Sequence, residues 1–142
     1  MEVEFYDKNK VNNEKLLYAI VVSKYKDKWI FVKHKERDTW EIPAGHREPN
    51  EDIDYTAERE LYEETGAKDF KITYVNDYSI TLGEEKSYAA LFYAEIYTLG
   101  KLPDFEIGEI REFDDIPSNL TYPTIQPYLF NKVKDEINKF VF

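Results

Sequence analysis

Leu16 to Ser23 reads Leu-Leu-Tyr-Ala-Ile-Val-Val-Ser, a short, β-branched and almost unbroken apolar run, and no other segment constrains the fold as much. A strand with one face in water alternates apolar and polar residues, so a strand without alternation must be covered on both faces. The chain therefore needs a sheet with a layer on each side. Trp29 to His34 follows across the turn Lys26-Asp27-Lys28 and reads as the antiparallel hairpin partner. Lys71 to Tyr78, Ser87 to Thr98 and the shorter Glu109 to Phe113 read as further strands. Lys8 to Lys15 is polar and turn-like, and Trp40 to Pro43 is a short extended piece entering a Pro-Ala-Gly turn.

Two segments can supply the covering layers. Asp52 to Thr65 reads as a helix with Asp52 as N-cap and Gly66 as its stop. Ile125, Leu129, Val133 and Ile137 recur every four residues after Pro123 and Pro127, which predicts a second amphipathic helix. The order of strands, helix, strands, helix gives an α+β fold, a mixed sheet sandwiched by two helices. A chain of 142 residues suits one domain over 1–142.

Charged residues make up 34% of the chain, but 16% aromatics argue against disorder. The formal charge of −10 repels phosphate backbones and anionic lipid, which speaks against a nucleic-acid polymer or a membrane as partner. A small phosphorylated ligand stays compatible if a metal ion neutralises the charge locally. With no cysteine, thiolate nucleophiles, zinc–thiolate sites and iron–sulfur clusters drop out. The N-terminus lacks a basic and an apolar region of the signal-peptide kind, and no apolar run is long enough to span a membrane, so the expected location is cytoplasmic.

The first helix carries an oddity. With Glu60 set at 0° and 100° per residue, Ile53 falls at about 20°, Glu64 at about 40°, Ala57 at about 60° and Leu61 at about 100°. Two carboxylates thus share the stripe that should face the core, and Glu63 borders it. Buried carboxylates need a positive partner. On this wheel Arg59 can pair with Glu63 but points away from Glu60 and Glu64. Two readings stand at this point: an ordinary solvated acidic face, or a site for a divalent cation such as Mg2+ or Mn2+, which prefers carboxylate oxygens.

From Gly45 to Ala67 the chain reads GHREPNEDIDYTAERELYEETGA. This resembles the Nudix box: Gly, five residues, Glu, seven residues, Arg-Glu, an apolar residue, any, Glu-Glu, any, Gly, apolar. Gly45, Glu51, Arg59, Glu60, Leu61, Glu63, Glu64, Gly66 and Ala67 fill every specified position at its spacing, with Ala67 small where a larger aliphatic is commoner. The resemblance implies an α/β/α sandwich and hydrolysis, with Mg2+ or Mn2+, of a nucleoside diphosphate linked to another group. It implies Glu60, Glu63 and Glu64 as metal ligands, a backbone carbonyl from the Ala44-Gly45 turn as a further one, and Glu60 or a metal-bound partner activating water. Arg59 would hold the Glu60 carboxylate and Glu51 would pair with Arg59. A further loop carboxylate is common in the family, and of Glu84, Glu85, Asp104, Glu106 and Glu109 the choice is Glu106.

The segment Trp29 to Gly45 is similar to that of MutT-type 8-oxo-dGTP diphosphatases, implying a purine nucleoside triphosphate, oxidised or not, cleaved to monophosphate and pyrophosphate. A Pro-Ala-Gly entrance is also familiar from ADP-ribose pyrophosphatases, but the proline those carry beyond the box is missing from Ser79 to Gly83. Trp40, Tyr78 and Tyr88 are candidates to stack a base, Lys33, Lys35 and Arg37 to touch phosphate, and Asn119 to read a purine; Trp40, Arg37 and Asn119 are the chosen substrate contacts. His34 and His46 have no sequence partner and receive no role. The expected partner is a small nucleotide and the expected state a monomer or homodimer; the non-enzyme alternative is a nucleotide-binding sensor module of the same fold.

Overall fold

The computed structural model describes residues 1–139. In chain order it contains β1 (Glu2–Tyr6), a single 3-10 turn (Asn13–Lys15), β2 (Leu16–Tyr25), β3 (Lys28–His34), β4 (Trp40–Glu41), β5 (Ala44–His46), α1 (Ile53–Thr65), β6 (Ala67–Leu82), β7 (Glu85–Leu99), β8 (Ile107–Phe113) and α2 (Gln126–Asn138). The strands form one mixed sheet in the order β1-β6-β7-β2-β3-β4, with β5 paired to β2 and β8 to β3. Among the described strands, β2 and β7 pair in parallel and the other strand pairings are antiparallel, with one isolated parallel bridge from Trp40 to Leu120. Lys26 and Asp27 both take positive φ (52° and 64°), the tight-turn geometry that closes the β2–β3 hairpin.

From Ala19 to Ser23 the apolar run is covered on both faces as its composition demands, while Leu17 and Tyr18 near its start are exposed. Along β2, Ala19 and Val21 join one buried cluster and Ile20 and Val22 the other, so successive side chains enter cores on opposite faces. Along β3 the split repeats: Ile30 lies on the first face, Trp29 and Phe31 on the second. Helix α1 covers the first core with Ile53, Ala57 and Leu61, and α2 covers the second with Leu129, Phe130 and Val133. The α+β sandwich is thus the observed architecture. Among the described residues, no helix is long and apolar enough to cross a membrane.

One strand lies outside the sequence expectations, and two of those expectations need correction. Glu2–Tyr6 is a strand, paired from Glu2↔Thr81 to Tyr6↔Asp77 at the sheet's edge, although a five-residue segment with two glutamates carries little pattern of its own. Ala44-Gly45 is no turn: Ala44–His46 is β5, paired Ile20↔Ala44 to Tyr18↔His46. Helix α1 begins at Ile53 with Asp52 in the N-cap position, but the Asp52 side chain makes no capping bond. The Ile53 N–H donates instead to Oδ1 of Asn13 at 2.9 Å, so the 3-10 turn beside α1 supplies the cap from a distance. The other end matches expectation, with Gly66 left-handed (φ 78°) and its N–H donating to the Tyr62 carbonyl.

Candidate active site

One edge of β2 is shared by two strands: Ser23–Tyr25 pair with β3, and Tyr18–Ile20 pair with β5. Between them the Val21 N–H donates to the Pro43 carbonyl at 2.8 Å. This divergence seats β5 beneath α1 and brings the Gly45 backbone against the acidic side of the helix. A Cβ built on Gly45 would fall inside the Glu60 carboxylate, so only glycine leaves that carboxylate its place. Gly45 is required for space alone, whereas Gly66 is required both for its positive φ and for space, since a Cβ there would meet the Lys101 carbonyl oxygen at 2.7 Å.

Arg59 is the hub of the polar cluster. Its Nε donates to Glu51 Oε2 at 2.8 Å and its Nη2 to Glu51 Oε1 at 2.9 Å, a bidentate pair. Its Nη1 donates to Glu60 Oε1 at 2.7 Å and to Glu63 Oε2 at 3.2 Å, and Nη2 also reaches the His46 carbonyl at 3.0 Å. The helical wheel, which places Cβ directions only, has Arg59 pointing away from Glu60. The long side chain folds back across its own helix and bonds its neighbour, which corrects that expectation. Glu51 is further held by Thr56 Oγ1 at 2.6 Å and by the Glu48 N–H at 3.1 Å. Glu64 is not among the Arg59 partners and accepts the Ala44 N–H at 2.9 Å. The contact shown by Ala44 is therefore through its N–H.

These surroundings divide the carboxylates. The Arg59 hydrogen bonds, with those of Thr56 and the Glu48 N–H, pull Glu51 down to about 2 against the cost of burial. Burial pushes Glu60 up to about 7 although Arg59 opposes it, with Glu63 and Glu106 adding repulsion. Burial pushes Glu64 up to about 8 despite the Ala44 N–H, with Glu60, Glu41 and Glu106 adding to the rise. Glu51 is thus a settled ion-pair partner, while Glu60 and Glu64 lack sufficient positive charge. Among the described residues, no three acidic or histidine side chains converge as a ready-made metal cage, since Arg59 engages one oxygen each of Glu60 and Glu63. The donors nevertheless suit a hard divalent cation: all are carboxylate oxygens, and Glu60 and Glu64 are partly buried with too little positive charge beside them.

The remaining candidates are spread more widely. Glu106, in the loop before β8, is exposed, yet its charge contributes to the rise at both Glu60 and Glu64. Arg37 pairs with Glu41 at 2.7 Å. Asn119 Nδ2 donates to the Asp38 carbonyl at 2.8 Å, and the Trp40 N–H donates to the Asn119 carbonyl at 2.8 Å, so the Arg37 and Asn119 segments lie side by side. Trp40 is buried and packs edge-on against Phe113, with Arg111 over its ring, which places it in the core. Tyr78 is likewise buried, Lys33 pairs with Glu109 at 3.3 Å and Lys35 with Asp104 at 2.6 Å. Sequence reading passed over Thr56 and His34. Thr56 is a threonine on an inward helical position, five residues after Glu51, and that spacing was the available signal. His34 shows its neighbour only in three dimensions, since Glu106 is far along the chain.

Comparison with known proteins places this geometry in a family. Residues 15–128 match the NUDIX domain model. A Bacillus subtilis protein provisionally named an 8-oxo-dGTP diphosphatase is 35% identical over 103 residues, 71% of this chain and 64% of that protein. An ADP-ribose pyrophosphatase of Bacillus subtilis is 42% identical over 85 residues, 60% of this chain and 42% of that protein. The chain thus matches less than two thirds of the length of either relative. The crystal structure of the Bacillus subtilis pyrophosphohydrolase BsRppH, in a mutant form, is similar in fold, with a TM-score of 0.78 at 24% identity, over 94% of this chain and 90% of that one.

Proposed function

This chain belongs to the NUDIX domain family, and from that premise we propose that it acts as a single-domain, divalent-metal-dependent pyrophosphohydrolase. The observation that carries the reading is Glu60 and Glu63 held by Arg59, with Glu64 one turn on and bonded to the Ala44 N–H, beside the glycine-only wall at Gly45, and with Glu60 and Glu64 partly buried and under-compensated. Mg2+ or Mn2+, held by Glu60, Glu63 and Glu64 with the Ala44 carbonyl, would neutralise substrate phosphate and acidify a bound water. The chain's own groups do the rest. Glu51 fixes Arg59, and Arg59 fixes the orientation of Glu60 and Glu63, the kind of support on which ligand geometry depends. Glu60 or Glu106 takes a proton from the attacking water. The new bond forms from that water oxygen to one phosphorus, the anhydride P–O bond opposite it breaks, and the bridging oxygen leaves with the second phosphate.

For the substrate we infer a purine nucleoside triphosphate, an oxidised one such as 8-oxo-dGTP included, cleaved to monophosphate and pyrophosphate. The Trp29 to Gly45 segment and the first of the two relatives support this. Arg37 and Asn119, brought together beside Glu41, are the proposed contacts, and Trp40 shapes that wall from within the core. ADP-ribose is the second reading, favoured by Pro43-Ala44-Gly45 and by the 42% identity to the other relative. The test is product release from 8-oxo-dGTP, dGTP and ADP-ribose in direct competition with magnesium, repeated with a chelator. A highest kcat/KM for 8-oxo-dGTP, abolished by chelation, is the expected result. A highest value for ADP-ribose overturns the substrate and keeps the hydrolase; tight nucleotide binding without turnover would identify a sensor module instead.

A further inference from the structure

We propose that His34 is a positioning residue for the Glu106 carboxylate, holding it toward Glu60 and Glu64. Strand alternation sets the direction: Ile30 lies in the core beneath α1, and His34, four residues on, belongs to that same face. The β3–β8 register supplies the second element. Lys33 pairs with Glu109 but His34 pairs with Ile107, so Gly108 is an extra residue, a bulge of the kind that re-aims side chains. Gly108 lies so close to Lys35 that a Cβ there would meet the Lys35 Cα at 3.3 Å. Just beyond the bulge the Lys35 N–H donates to the Glu106 carbonyl at 3.0 Å, and Lys35 Nζ reaches Asp104 at 2.6 Å, so the loop backbone is tied to the end of β3.

The side chains complete the device. The Glu106 side chain is 76% exposed and its Oε2 lies 3.4 Å from His34 Nε2, while the imidazole is only 25% exposed. Among the described residues the buried Nδ1 of His34 has no hydrogen-bond partner, which leaves Nε2 as the nitrogen that engages a neighbour. A ring held by packing thus steadies a carboxylate that solvent would otherwise leave to several rotamers. The loop leads into β8, which touches α1 and packs Ile110 against the core beneath it, so Glu106 sits at the entry to a strand on the helix's side, and its charge adds to the repulsion felt by both Glu60 and Glu64. A carboxylate that takes a proton or carries part of a cation has to be aimed, and a loss of aim reads out in turnover more than in binding.

The inference rests on the hydrolase reading through the role of Glu106, so its test has an arm that does not. In the full chain, without nucleotide or metal, the His34 imidazole 15N resonances should move when Glu106→Gln is introduced; no movement overturns the contact whether or not the protein is an enzyme. With magnesium and the best nucleotide of the panel, His34→Leu should lower kcat about 10-fold with KM little changed, the scale expected for a residue that orients another. His34→Gln, whose amide can still donate, should restore most of kcat. In the Glu106→Gln background, His34→Leu should add little further loss, since coupled residues are not additive. Fully additive losses, or an unchanged kcat in His34→Leu, overturn the proposal. Should His34→Leu fail to fold, His34→Asn, polar but too short to reach Glu106, takes its place with the same expected loss.

Discussion

At the scale of single residues the cluster depends on what Gly45 lacks. Its backbone needs no unusual φ, and the obstacle to any side chain there is the Glu60 carboxylate. That group is the end of a flexible chain, so it can swing away at small cost to the fold but not to its own geometry. Gly45→Ala should therefore keep its melting temperature and lose about 10- to 100-fold in activity or magnesium affinity, the range for disturbed ligand support. Kinetics beside a thermal melt check this; an unfolded variant would place the role of Gly45 in the backbone. Glu64→Gln is the sharper probe. It retains shape and can still accept the Ala44 N–H, but it removes a charge that burial already disfavours. We expect an intact, somewhat more stable apo protein with turnover lost by more than the ~10- to 100-fold typical of supporting residues; full turnover with magnesium would remove Glu64 from the ligand set.

At the scale of elements, α1 is joined to the sheet by contacts its own sequence does not contain. Its first N–H is capped by Asn13 Oδ1, and Asn13 Nδ2 also donates to the Glu51 carbonyl at 3.2 Å. One side chain thus fixes both the start of the helix and the residue that anchors Arg59. Asn13→Ala should cost about 1 kcal/mol in chemical denaturation, the usual value of an N-cap, while Asp52→Ala should cost much less. Equal losses would return the cap to Asp52. The C-terminal end of α1 was legible because Gly66 signals it locally. The N-terminal cap was not, because a residue 39 positions before Asp52 cannot be ranked as its competitor without the fold.

At the scale of the whole molecule, the carboxylates link stability to pH in opposite directions. Glu51 sits at about 2 in the fold against an ordinary value of 4.5, so its stabilisation is complete above 4.5 and is lost as pH falls toward 2. Glu60 at about 7 and Glu64 at about 8 lie above 4.5, so their contribution is complete below 4.5 and is lost as pH rises through 7 and 8. Without metal, the melting temperature should fall between pH 5 and pH 8. A divalent cation binds the ionised form and stabilises by mass action, so magnesium should raise the melting temperature more at pH 8 than at pH 5. Thermal melts in chelator and in millimolar magnesium test this. A magnesium effect independent of pH would sever the link between these carboxylates and the cation.

The sequence alone determined the strand that must be covered on both faces, the two helices that cover it and the spacing of the acidic box, because each is written in local periodicity or in fixed separations along one helix. It also singled out Glu60 and Glu64 as carboxylates on an inward stripe. What only the tertiary structure decided are the relations between distant segments: β1 on the sheet edge, β5 rather than a turn beneath α1, Asn13 as the cap and Trp40 turned into the core. Arg59 reaching Glu60 belongs here too, since a side chain of its length is directed by its surroundings and not by its Cβ. The same holds for His34 and Glu106. Seventy-two residues separate them, and no periodicity spans that distance; a bulge at one glycine and the closure of the sheet bring them together.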